Sequence, residues 1–407
     1  MIALMLGVIL VSTNAQSLTP KTVWECNLGS PLCGAPVLFP CVEKPTGVVT
    51  WTEAGCVVLL DGNGSILWQA DLGEKGEASP AVGDINGDGS VEVVSATLSG
   101  KLFALDSQGR ELWRYDLGAA VRDWESPTLG DVDGDGIPEI LIGNMDGWLI
   151  CVSGTGHLIW RFKADEQKAS SAAFVPSSVC DGGAIVLGTE NDQIVAVTLD
   201  GRLKWSSRHE GQYGRTNPAV GDLNGDGRYE VIVHTSYNNP RSRILALDLE
   251  SGSLLWEAPL NLHGYASNAI ADVDGDGINE AVVALRSNTI YCFEGNGKER
   301  WHTITGGHAF FFAPAIADID GDGRCEILAG VRDTNERGNS WFVLNDMGEI
   351  LGEYPIHGGS PATPLVGDIN ADGILDIILP GTKAGLLRCV TFGGPHKGVR
   401  LPWVSPR

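Results

Sequence analysis

Residues 217–232 read NPAVGDLNGDGRYEVI, an apolar run, an acidic loop rich in glycine, and then a β-branched run. The same phrase returns as SPAVGDINGDGSVEVV at 79–94, SPTLGDVDGDGIPEIL at 126–141, SNAIADVDGDGINEAV at 267–282, APAIADIDGDGRCEIL at 313–328 and TPLVGDINADGILDII at 363–378. The first aspartates stand at 84, 131, 222, 272, 318 and 368, so the steps are 47, 91, 50, 46 and 50 residues. The step of 91 is double, and SAAFVPSSVCDGGAIVLG at 171–188 fills it with a worn copy that keeps the flanking runs and lacks the acidic loop. A second worn copy, APVLFPCVEKPTGVVTW at 35–51, lies one step before the first.

Eight units of about 45 to 50 residues have the period of a four-stranded propeller blade. Within each unit the run before the loop predicts strand a, the run after it strand b, and segments such as KLFAL or ILALD strand c. Strand d carries a tryptophan at 68, 113, 160, 205, 256 and 301, with Gly352 in that place in the seventh copy; so regular an aromatic is expected to pack blade against blade. The last unit lacks a strand d, whereas TVWECNL at 22–28 is a strand d with no blade before it. The expected fold is therefore an all-β, eight-bladed β-propeller closed by its N-terminal strand, a device that leaves no free edge. The blades are expected near 35–72, 79–118, 126–164, 171–206, 217–259, 267–303, 313–357 and 363–392, the last completed by 22–28.

Residues 2–11 are uniformly apolar and small residues follow at Thr13 and Ala15, which predicts a signal peptide over 1–15, one propeller domain over 16–407, and export. No later stretch is long and apolar enough to insert in a membrane. The 54 glycines and 20 prolines argue for repeated tight turns, hence β-structure. Nine cysteines form an odd set without paired zinc-site spacing. Cys151, Cys292 and Cys389 take the place of Ala104 and Ala246 in strand c and read as small core residues, while pairing among Cys26, Cys33, Cys41 and Cys56 stays open.

The loops supply oxygen at their first, third, fifth and ninth positions, together with the carbonyl of the seventh, a donor set for one hard cation; calcium fits it best. The candidate ligands are Asp84, Asn86, Asp88 and Glu92; Asp131, Asp133, Asp135 and Glu139; Asp222, Asn224, Asp226 and Glu230; Asp272, Asp274, Asp276 and Glu280; Asp318, Asp320, Asp322 and Glu326; and Asp368, Asn370, Asp372 and Asp376. An EF-hand would want an acidic residue at its twelfth position, where Ser95 or Ile142 stands here, and flanking helices. The loops hold 21 carboxylates, and twelve positive charges from six divalent cations would bring the net charge from −23 to −11. The acidity is thus read as metal chemistry, and nucleic acid is disfavoured as a partner.

The acidic loops resemble FG-GAP (integrin α-type) repeats, and KLFALDSQGRELW and RILALDLESGSLLW resemble the repeats of PQQ-like propellers. The resemblance implies the fold and calcium in the loops; function does not travel with it.

Strand order puts the a–b loops on one face and the d–a and b–c loops on the other. The second face gathers Arg122, Trp124, His209, Tyr213, Arg215, His263, Tyr265, His308 and His357 from d–a loops, and His234, Tyr237, Arg241, Arg286, Arg332, Arg337 and Lys383 from b–c loops. Arginine, histidine and aromatic groups converging there suit an anionic, hydroxyl-rich ligand, an acidic polysaccharide or a glycoprotein. A monomeric binding module is the first expectation. The alternative is a lyase acting on a uronic-acid polysaccharide, similar to eight-bladed rhamnogalacturonan lyases, with Arg215, His263, Tyr265 and His308 as the catalytic group. A PQQ-dependent dehydrogenase ranks last, because adjacent cysteines are absent.

Overall fold

The computed structural model describes residues 18–39, 47–76, 78–121, 125–235, 242–262, 264, 268–305, 313–331, 339–356, 363–381 and 385–395. The segment read as a signal peptide lies outside them. Every regular element among the described residues is a strand, and the strands form eight four-stranded antiparallel sheets. None of the described residues forms a helix long and apolar enough to cross a membrane.

Blade 5 shows the plan, with strand a at Ala219–Gly221, b at Glu230–His234, c at Arg243–Asp248 and d at Leu254–Pro259. Strand b is buried throughout and strand c nearly so, whereas strand d alternates. Continuous apolar runs suit strands covered on both faces by neighbouring blades, and alternation suits an outer strand with one face in solvent. The core accordingly lies between blades. One cluster joins Val186 and Ala196 of blade 4 to Val231, Val233 and Leu245 of blade 5.

Tryptophans latch these junctions. The indole N–H of Trp68 donates to the Ser107 carbonyl of the next blade at 2.9 Å, and Trp113, Trp160, Trp205, Trp256 and Trp301 repeat the contact to Gly154, Leu199, Leu249, Gly295 and Asp346 at 2.7–3.0 Å. Each ring lies flat over a turn glycine of the following blade. At Gly64 (φ +81°) a Cβ would come within 2.5 Å of the Trp24 ring, so both the turn and the stacking require glycine there.

The chain closes on itself as expected. Lys21–Asn27 pairs antiparallel with Leu386–Pro395 and becomes strand d of blade 8, and Trp24 donates to the Gly62 carbonyl of blade 1 at 3.0 Å. Blade 7 has Gly352 where the others have tryptophan. There Tyr354 meets Phe392 edge-on at 5.7 Å and its hydroxyl bonds the Leu18 carbonyl, so the N-terminal segment seals two junctions.

Candidate metal centres and the opposite face

Each acidic loop folds around its own carboxylates. In 84–92 the Asp84 carboxylate accepts the N–H of Gly87 and Gly89 through its two oxygens at 2.7 and 2.9 Å. Asn86 accepts from Asp88 N at 2.8 Å and Asp88 from Ser90 N at 2.7 Å. Glu92 reaches back across the loop to accept Ile85 N at 3.1 Å. The loops at 131, 222, 272 and 318 repeat this pattern, with the closing Glu bond at 2.8–2.9 Å. In the loop at 368 Asp376 replaces Glu, and Ala371 stands where the others have glycine, at φ +59°. The second residue of every loop, such as Ile85, Leu223 or Ile319, is a buried aliphatic that pins the loop to the blade.

Carboxylate oxygens converge as a cation requires. Those of Asp131, Asp133 and Glu139 lie within 4.8 Å of one another, as do those of Asp272, Asp274 and Asp276, and those of Asp318, Asp320 and Glu326. The ninth carboxylate is buried in all six loops. Burial, reinforced by the neighbouring aspartates, pushes Glu92, Glu139 and Asp376 above their ordinary values, Glu230 and Glu280 up to about 7, and Glu326 up to about 8. Glu280 Oε1 is buried without a hydrogen-bond partner. A buried acceptor in that position is costly unless a cation or proton meets it, so the donor set fits a bound divalent ion.

The loops also touch one another around the ring. Ile137 sits on Gly87, Ile278 on Gly225, and the Gly323 carbonyl on Gly275. Asn279 donates to the Asp222 carbonyl at 2.7 Å and Cys325 N to the Val273 carbonyl at 2.9 Å. Arg300 pairs with Asp274 at 2.6 Å, which draws on the charge of that loop. In blade 4 the worn connection 176–183 makes a plain turn, Val179 N to the Pro176 carbonyl at 3.0 Å. The corresponding connection of blade 1 lies outside the described residues.

On the opposite face a minority of the expected groups fall among the described residues. Arg215 is half-buried and its Nε donates to Glu190 at 3.1 Å. His209 lies 2.9 Å from the Ser207 hydroxyl, its imidazole held below the usual value by burial and by Arg243. Arg286 is partly exposed. Tyr213 is fully buried, packed against Gly188 and Gly211, and presents no surface to a ligand. His234 is not a loop residue: it ends strand b of blade 5, fully buried, with Nδ1 2.7 Å from Asn268 Oδ1. Apolar strand b spacing runs straight into it, which is the signal sequence reading passed over. Arg122, Trp124, Tyr237, Arg241, His263, Tyr265, His308, Arg332 and His357 lie outside the described residues. The structure adds a buried ion pair, Lys168 with Glu125, both 2% exposed, joining two d–a loops. Nothing in the local sequence marked it.

Residues 123–311 match the family model described as outer membrane protein assembly factor BamB, a PQQ-like repeat, and residues 84–142 and 318–379 match the FG-GAP-like repeat. The chain is an eight-bladed β-propeller carrying FG-GAP-like and PQQ-like repeats. Among solved structures it is similar to BamB from Moraxella catarrhalis (16% identity, 93% of this chain and 99% of that one, TM-score 0.65). It is also similar to the V. cholerae biofilm matrix protein Bap1 (15%, 95% and 98%, TM-score 0.69). The quinohemoprotein alcohol dehydrogenase of Comamonas testosteroni shares the fold as well (12%, 95% and 78%, TM-score 0.64). At such identities the likeness carries the fold alone. A comparison with curated proteins returns no match.

Proposed function

We propose that this chain is a secreted, calcium-dependent binding propeller whose Arg- and His-bearing face receives an acidic polysaccharide or a glycoprotein. The observation that carries the calcium half is the recurrence of one loop geometry six times, each with a buried ninth carboxylate and, in blade 6, a buried Glu280 oxygen without a partner. Calcium bound there would neutralise clustered carboxylates. The chain's own part is to fix those carboxylates in advance: backbone N–H groups orient the first, third and fifth positions, and the buried aliphatic at the second holds each loop on its strand.

The ligand half is supported by charge placement. Acidic loops occupy the a–b face, while His209, Arg215 and Arg286 lie on d–a and b–c connections across the blade. Turnover gains no support from the described residues, since Arg215 of the expected catalytic group is already paired with Glu190. Retention on polygalacturonate in calcium tests this reading. Arg215→Ala with His263→Ala is expected to abolish retention and leave calcium-dependent unfolding unchanged. Unsaturated products absorbing in the ultraviolet would select the lyase instead.

A further inference from the structure

The ring of acidic loops is broken at one described place, and a cavity opens there. Where blades 2, 5 and 6 meet their successors, the fourth-position glycine of one loop is covered by the next loop: Gly87 by Ile137, Gly225 by Ile278, Gly275 by Gly323. At blade 3 the successor is the worn blade 4, and Gly134 has nothing within 4 Å. The short turn of blade 4 leaves a depression of about 790 Å³ between the loop at 131 and the c–d turn of blade 4. That volume lies within the range of about 300–1,000 Å³ usual for small-ligand pockets.

The lining decides the chemistry. Phe174 lines the cavity, its ring against Gly130 and only partly buried. Exposed Ser177 and Ser178 of the worn connection line it too, as do Thr198, Asp200 and Arg202 of the c–d turn. The charges are matched locally. Both Asp131 oxygens accept backbone N–H groups, at 2.7 and 3.0 Å, and Asp200 is bonded by Thr198 at 2.5 Å and by Arg202 at 2.6 Å. With Asp131 and the exposed Asp133 taken up by the cation proposed for loop 131–139 and Asp200 by Arg202, no carboxylate is left over for a cationic ligand, and an anionic one meets the acidic loop. A lining that combines an aromatic ring, hydroxyls and a paired carboxylate and guanidinium offers an apolar surface with donors and acceptors together, the pattern that hydroxyl groups on an apolar sugar face satisfy.

We propose that this cavity is a binding site for a neutral, hydroxyl-rich saccharide unit, on the face opposite the Arg and His loops. It rests on the calcium reading only for the charge of loop 131–139.

Calorimetric titration of the full chain in calcium with maltotriose, cellotriose, mannotriose and galactotriose, alongside trigalacturonate, tests it. At least one neutral trisaccharide is expected to bind. Ser178→Trp, which fills the cavity from an exposed position, is expected to abolish that binding, and Arg202→Ala to weaken it at least about tenfold. Both variants should keep the wild-type melting point in calcium, and Arg215→Ala should leave the neutral sugar's affinity unchanged. The proposal is overturned if no neutral trisaccharide binds, if binding survives Ser178→Trp, or if an oligolysine peptide competes for the site. Trigalacturonate binding lost with Arg215→Ala, with no neutral sugar bound, would overturn this site and leave the opposite-face reading standing; neutral binding lost with Ser178→Trp, with no trigalacturonate bound, would support this site and count against the opposite-face reading.

Discussion

Replacing Trp24 by alanine removes the latch from the strand d, Lys21–Asn27, that no turn joins to its own strand c, because its blade is completed from the other end of the chain. Its indole N–H bond to the Gly62 carbonyl at 3.0 Å contributes about 1 kcal/mol, and deleting a partly buried tryptophan ring stacked over Gly64 costs about 3 kcal/mol at the low end for large-to-small changes. Trp113→Ala removes the same contact, to Gly154, from a strand d, Glu111–Asp116, that a turn joins to strand c of its own blade, Lys101–Leu105. Equal local losses should therefore give unequal outcomes. In Trp24→Ala the strand Lys21–Asn27 is left with its pairing to Leu386–Pro395 as the main restraint, and opening there exposes a sheet edge. Hydrogen exchange followed by peptide mass spectrometry reads the difference. Protection of 21–27 and of 386–395 should fall in Trp24→Ala and stay near wild type in Trp113→Ala, while Trp24→Phe should sit between. Identical exchange at 21–27 in all three variants would refute closure by the N-terminal strand.

Stripped of cations, the protein should lose stability as pH rises. Glu230 and Glu280 near 7 and Glu326 near 8 stand above the ordinary 4.5, so their contribution is complete below about pH 4.5 and is lost as pH climbs through 7 to 8. Thermal unfolding in EGTA across that window should show a falling midpoint that added calcium restores; a flat midpoint in EGTA would count against the buried carboxylates. Ala371→Gly should stabilise by about 1 kcal/mol, because φ +59° strains a side chain that glycine lacks, and an unchanged denaturant midpoint would contradict the strain. Glu280→Gln should lower the calcium content of the chain, while Ser178→Ala, in the blade without an acidic loop, should not.

The fold was legible because the repeat is physical. A period near 47 residues, glycine at the turns and tryptophan at one place in every unit but the seventh are what blade-to-blade packing demands, and the orphan strand at 22–28 could only belong to the blade that lacked one. The convergence of the acidic loops was legible for the same reason, since each loop is local and its hydrogen bonds join residues two to seven apart. The opposite face was not. Whether Tyr213 is buried, whether Arg215 finds Glu190, or whether Lys168 meets Glu125 depends on residues 25 or more positions away on neighbouring blades, and no spacing rule reports them. The gap beside Gly134 likewise follows from the meeting of an intact loop with a worn one.

The most direct test of the account is to strip the purified protein with EGTA, return calcium by equilibrium dialysis, and count bound ions per chain while recording the unfolding midpoint of both forms. Six ions and a clearly higher midpoint in calcium are expected, one for each intact loop. No bound calcium and an unchanged midpoint would contradict the reading of these loops as metal centres.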